Sequence, residues 1–388
     1  MVSGQETRVA VLEQQRAAKA ARLEPYNPGR LERLLLFVER QDPLGRVAPY
    51  NGFFVQYGYT DKPTGSGIAV SGGYRHDLFD RRGRVEIEAG TSLRKYRLLR
   101  LDFSSPYLAD ERAEVGVEWT YRNHPQEDFY GLGSASLKDA RTNFKYEGNR
   151  LQVRADAKPT RWLRAGARAG LLRTSIGSGT DSRFPTLEAV FSEPQAPGLV
   201  GQPDYGYVEG FATADTRDHP GNARSGGYYE VSWQRYGDRD LDRFGFNRFD
   251  ADLQQFFPIF DKKRVIALRG RVISTMARDG NEVPFYLKPT LGGGYSLRSH
   301  SDYRFRDNNV LFVNLEYRWE AFSSLDMALF SDWGKVTARA RDLDFGSLQR
   351  AYGLGFRFNT YKSVFLRLDI AAGGDDGLRY ALKFSNVF

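Results

Sequence analysis

Few residues in this chain have the company that covalent chemistry needs. Its four histidines, His76, His124, His219 and His300, each fall in a predicted turn or loop, and no two have metal-ligand spacing. The serine stretch "GYSLR", Gly294 to Arg298, lacks the final glycine of a nucleophile elbow. "DRDLD", Asp238 to Asp242, alternates carboxylates like the start of a calcium loop, but Arg243 and Phe249 stand where that loop needs glycine and glutamate. It reads as a self-paired charged turn. "DFYGLGSAS", Asp128 to Ser136, has glycines but no following helix to cradle a phosphate, so it reads as a turn too. Histidine can still serve as an acid or base beside an Asp or Ser, which leaves His124 and His300 as formal candidates for acid–base work. No catalytic residue, metal or cofactor is expected.

A charge constellation is the stronger signal. The segment 276–309 holds four arginines between two strand-like stretches that a few residues would join. Within it Gly292, Gly293 and Gly294 permit a sharp backbone re-entry just before Leu297 and Arg298. Further on, Glu316 in "NLEYRW" and Asp332 in "LFSDWG" fall where alternation turns them to the same side as other polar residues. A guanidinium fork matches two carboxylates in a partly dry interior, so Arg298 is expected to pair with Asp332 first and Glu316 second.

The elements that would position these groups are strands. From Gly52 onward apolar and polar residues alternate, as in "VEIEAGTSL", "AEVGVEWTY", "YYEVSWQRY" and "VFLRLDIAA". Sixteen such segments begin near residues 52, 66, 84, 97, 111, 141, 162, 205, 226, 245, 263, 310, 324, 349, 363 and 378. Most have the length that a tilted strand needs to cross a bilayer. The longest gaps, at 122–140, 174–204, 276–309 and 332–348, all follow odd-numbered strands. Hairpins that emerge alternately on two sides of a membrane sort their loops in this way, whereas a soluble sandwich has no reason to. The expected fold is all-β: a 16-stranded antiparallel transmembrane barrel over 51–388, both chain ends on the periplasmic side.

Composition agrees. A mean hydropathy of −0.54 suits a barrel with a polar lumen. No run of about eighteen apolar residues offers a membrane helix. The 56 Lys and Arg are interspersed with 48 Asp and Glu, so the net charge of +8 does not point to nucleic acid. With no cysteine, disulfides and thiolate metal sites are excluded. Tyr57, Tyr59, Tyr74, Trp119, Tyr121, Trp233 and Tyr236 are expected in aromatic girdles. Residues 1–50 read as a helical segment, 6–23 and the amphipathic 29–41, at the periplasmic mouth or in the lumen. The N-terminus lacks the apolar core of a signal peptide, so the sequence is expected to be a mature or truncated form of an exported chain.

On these residues the chain resembles the BamA/TamA superfamily of outer-membrane assembly barrels, the bacterial surface antigen family. That family's V-R-G-F/Y loop motif corresponds to Leu297-Arg298-Ser299-His300, after the eleventh strand, and its F-x-D-x-G signature to Phe330-Ser331-Asp332-Trp333-Gly334. Tyr380, Leu382, Phe384 and Phe388 alternate like its C-terminal assembly signal. Ser299 and His300 depart from the motif's glycine and aromatic, and residues 1–50 leave no room for the family's periplasmic POTRA domains. The resemblance implies an inward-folded loop anchored by Arg298, Glu316 and Asp332. It also implies a part in inserting or translocating proteins or lipids without covalent chemistry. The implied partners are outer-membrane lipids and lipopolysaccharide, client barrels or periplasmic assembly factors. A passive pore gated by its inward loop, and a rim hydrolase, are the rival readings.

Overall fold

The computed structural model describes residue 33 and residues 51–57, 65–322, 324–359, 364–383 and 388. The expected helices 6–23 and 29–41, and with them the 1–50 segment apart from Arg33, lie outside the described residues. So do Tyr59 and Phe384.

Alternation becomes one antiparallel sheet of sixteen strands, joined in chain order. These are β1 (52–57), β2 (69–78), β3 (83–92), β4 (97–108), β5 (113–129), β6 (142–157), β7 (163–178), β8 (204–215), β9 (226–238), β10 (246–259), β11 (264–277), β14 (309–322), β15 (325–337), β16 (349–359), β17 (364–374) and β18 (377–383). A two-residue ladder of β12 (290–291) and β13 (305–306) lies inside the long segment between β11 and β14. Every expected strand start falls within three residues of an observed one. With all sixteen strands antiparallel in chain order, the long loops gather at one rim and the short turns at the other.

The sheet is a transmembrane β-barrel, and its two faces differ as a bilayer requires. Outward positions carry exposed apolar side chains, among them Leu99, Leu101, Phe103 on β4 and Tyr229, Val231, Trp233 on β9. Inward positions carry charge. On β5, Glu118 accepts from Arg100 at 2.9 Å, Gln152 at 2.9 Å and Arg150 at 3.2 Å. Asp102 holds Arg154, and Asp252 takes Arg269 Nε at 2.9 Å. Removed from bulk water, each charge needs an opposite partner, and neighbours one or two strands away supply it.

Three expectations change. The gaps at 122–140, 174–204 and 332–348 are shorter than read, because β5, β7 and β15 run on to Phe129, Ser178 and Thr337. Of the histidines, His76 and His124 stand in β2 and β5 instead of turns. Tyr236 does not join a girdle: its even position on β9 turns it inward, stacked on Phe246 at 4.6 Å and Tyr207 at 5.5 Å.

Candidate functional site

The segment between β11 and β14 folds into the barrel, and the glycines make the entry possible. Gly292 and Gly293 adopt φ of 126° and 83°, which disfavour a side chain. A Cβ on Gly293 would also collide with Asp302 Oδ1, and one on Gly292 with Ser301 O. Leu297, fully buried, then inserts among Leu291, Phe305, Val310, Phe312, Val336 and Ala351. This apolar contact sets the depth at which the next residue acts.

Arg298 is 1% exposed, and Glu316 and Asp332 are 0% exposed. Arg298 Nε donates to Asp332 Oδ2 at 2.9 Å, and Nη2 to Oδ1 at 2.6 Å, a fork onto one carboxylate. Its backbone N–H reaches the same carboxylate at 3.1 Å, while Nη1 donates to Glu316 Oε1. The guanidinium also lies 3.4 Å from the Phe330 ring centroid. The expected trio is therefore assembled, and Phe330 of the strand motif serves it directly. A Cβ on Gly334 would meet Phe312 Cβ at 2.9 Å, so the motif's glycine keeps room for the apolar cluster.

The cluster is larger than the trio. Glu316 also accepts from Arg357 at 2.8 Å and Arg318 at 2.7 Å. Arg357 reaches Asp369 at 2.9 Å; Arg367 lies 3.0 Å from Asp369 and donates to the Gly294 carbonyl at 2.6 Å. Asn314 bridges Ser296 O at 2.6 Å and Asp332 at 2.8 Å. Four arginines thus face three carboxylates. Sequence reading missed Arg318, Arg357, Arg367, Asp369 and Asn314, although each is a polar residue at an inward position of its strand.

Toward the rim the loop is tied by other contacts. Ser299 Oγ donates to Arg350 O at 3.2 Å and lies 3.0 Å from His300 Nδ1. Asp376, in the β17–β18 turn, accepts from Ser301 N at 2.6 Å and from Ser301 Oγ at 2.5 Å. Arg304 reaches Ser136 O at 2.7 Å, and Gly133 N–H donates to Arg306 O at 2.9 Å. The "DFYGLGSAS" turn is thus a strap over the inward loop. Asp238 caps its own turn, accepting from the Leu241 and Phe244 N–H groups at 2.9 and 3.0 Å.

Both candidate histidines are buried. His124 Nδ1 pairs with Glu127 Oε1 at 2.6 Å, and His300 sits under the rim with Nε2 unpartnered among the described residues. Among the described residues no group of three or more His, Cys, Asp or Glu is placed to hold a metal.

Burial pushes the His300 imidazole down to about 4, with Arg304 and Arg379 adding to burial and Asp375 and Asp376 opposing it. Burial pushes the Asp376 carboxyl up, but Ser301, Lys138 and Arg379 outweigh it and hold the group at about 2. Between pH ~6.5 and ~4 the unfolded state binds more protons at His300, so its contribution is complete above that window and lost on acidification. Asp376 adds a second loss, from its ordinary value near 4 down to ~2. Acid is therefore expected to loosen residues 292–306 in two steps. Amide exchange of the loop from pH 7 to 4 checks the first, and His300→Gln should flatten it.

Tyr380 and Leu382 are exposed on the outer face of β18. Phe388 does not share that face: its ring lies 5.9 Å from Phe256 and 5.2 Å from the Arg318 guanidinium, both on inward positions. Arg318 has two Nη nitrogens without hydrogen-bond partners among the described residues, and an aromatic face is the attraction left to them.

Residues 79–384 match the Omp85 superfamily domain. The fold is similar to the crystal structure of BamA from Haemophilus ducreyi lacking POTRA domains 1–3. That match has a TM-score of 0.64 at 13% identity and covers 86% of this chain and 69% of that one. It is also similar to CdiB from Escherichia coli, with a TM-score of 0.50 at 13% identity, covering 86% of this chain and 60% of that one. No curated protein sequence matches.

Proposed function

Because the chain belongs to the Omp85 superfamily, we propose that it works in the bacterial outer membrane in the insertion or translocation of client proteins or lipids, without covalent chemistry. The observation that carries this reading is the sheet's ends. Strand order runs from β1 to β18, so these are the two end strands of the sheet and flank the barrel's seam. A sheet edge in a membrane holds unpaired backbone groups, which a client strand can satisfy by pairing.

Apolar side chains flank this seam: Phe53 and Val55 on one side, Leu378, Tyr380 and Leu382 on the other. The inward loop supports an assembly barrel over a passive pore, since residues 292–306 stand in the lumen on many anchors. Lipids and lipopolysaccharide would surround the barrel, and periplasmic assembly factors could deliver clients to the short-turn rim.

Photo-crosslinkers placed at Phe53 and Tyr380 in cells are expected to capture nascent barrel proteins. The same groups at Val231 and Trp233, on β9, are expected to capture far less. Equal adducts at all four positions, or ion conductance with no adduct anywhere, would decide for the pore.

A further inference from the structure

Away from the Arg298 cluster, the inward loop and the barrel wall enclose a cavity of about 490 Å³. Arg122, Arg248, Arg269, Arg271, Lys288 and Arg306 line it, against the carboxylates of Glu127 and Asp250 alone. Two of these cations are answered: Arg271 grips Asp250 at 2.7 Å, and Arg269 grips Asp252.

Two others, Arg248 and Lys288, have only neutral hydrogen-bond partners among the described residues, and Arg306 has one long carboxylate contact. Arg248 donates to Thr275 Oγ1 at 3.4 Å and to the Leu287 carbonyl. Lys288 Nζ donates to Asn308 Oδ1. Both partners of Arg248 and the partner of Lys288 are neutral. Arg306 donates to the Phe285 carbonyl at 2.9 Å, and its carboxylate contact, Glu127, is 3.7 Å away and shared with His124. Arg306 Nε and His124 Nε2 are buried without hydrogen-bond partners among the described residues.

Such an arrangement is costly on its own. Lys288 is 8% exposed, and a buried cation without a carboxylate loses hydration that nothing returns; Arg306, 2% exposed, has Glu127 only at 3.7 Å. Burial pushes the Lys288 amine down to about 8, and Arg306 adds to it, while Asp307 and Glu282 oppose it. The buried Arg318, Arg357 and Arg367, by contrast, each have a carboxylate within 3.0 Å. Here the sequence concentrates cations and leaves donors pointing at no acceptor of opposite charge.

We propose that this cavity is an anion site, and that its ligand is a phosphate group held by Arg248, Lys288 and Arg306. A phosphate presents several oxygens to donors arriving from different directions, and guanidinium forks match them. The volume exceeds a bare phosphate, leaving space for the group that a phosphate ester carries. Arg248 comes from β10, whereas Lys288 and Arg306 come from the inward segment. Occupancy therefore ties the loop to the wall.

The test uses the full chain, refolded in a phosphate-free, chloride-buffered detergent. Calorimetric titration with inorganic phosphate, and separately with monomeric dihexanoyl-phosphatidylglycerol, is expected to show saturable binding of at least one. Lys288→Met and Arg248→Gln should each weaken it tenfold or more, and Arg173→Gln, at an exposed ion pair, should leave it unchanged. Tighter binding of the short-chain lipid identifies a headgroup as the source, and tighter binding of phosphate identifies the free ion. Without ligand, Lys288→Met should raise the thermal midpoint, since it removes an unanswered buried charge; a structural lysine would lower it. The proposal is overturned if neither probe saturates, if both variants bind like the parent, or if Lys288→Met is destabilised without ligand.

Discussion

Glu316→Gln is expected to destabilise the barrel more than any other single carboxylate-to-amide change in the loop cluster, by about 5 kcal/mol. Glu316 is fully buried and accepts from three guanidinium groups, those of Arg298, Arg318 and Arg357. The substitution keeps size but removes the charge and turns one accepting oxygen into an NH2 donor that faces a guanidinium. Four arginines would then share Asp332 and Asp369. Arg318 suffers most, since Glu316 is its hydrogen-bond partner and its remaining nitrogens have none among the described residues. Asp332→Asn strips the fork from one arginine, which still reaches Glu316, so its cost should sit nearer 3 kcal/mol. Urea midpoints of both variants in lipid bilayers, with heat-modifiable migration to confirm folding, give the order directly. An Asp332→Asn loss as large as that of Glu316→Gln would mean that Glu316 is not the hub.

The reading from sequence, with Asp332 the first partner of Arg298 and Glu316 the second, agrees with these contacts; it does not show that Glu316 also serves Arg318 and Arg357. Alternation predicts which residues face inward, because lipid outside and charge inside leave a period of two in every strand. It therefore carries Glu316 and Asp332, and Arg318 and Asp369 fall on the same inward period of their strands. It cannot say which inward groups meet, since diagonal reach depends on register and on the depth of the loop. The pattern also fails above the bilayer. In "RNHPQEDF", 122–129, both faces of β5 meet water or loops, so nothing selects alternate apolar residues and the strand is invisible. The pairing of His124 with Glu127 leaves no trace in the pattern for that reason. Contacts between distant loops, such as Ser301 with Asp376, leave no local pattern at all.

Arg298→Ala is expected to cost about 3–5 kcal/mol and to open residues 292–306 to protease. The side chain supplies the fork to Asp332 and the link to Glu316 and covers the Phe330 ring. Without it Asp332 keeps the Asn314 amide and the backbone N–H, both neutral, for a charge with no access to solvent. The loop would not leave the barrel entirely, because Leu297, Ser301 and Arg304 hold it independently. Cleavage should therefore stay local, and the barrel should still migrate as folded. Arg298→Lys restores one charge contact without the fork, so both stability and protection should recover only in part. The double variant Arg298→Met with Asp332→Asn separates two causes. Removing both charges ends the orphaned carboxylate, so stability should return to within about 1–2 kcal/mol of the parent. Protease protection should not return with it, because the geometric tie between loop and wall is still gone. If Arg298→Ala leaves the cleavage pattern unchanged, the rim contacts alone hold the loop, and the buried arginine is a requirement of folding and not a lock.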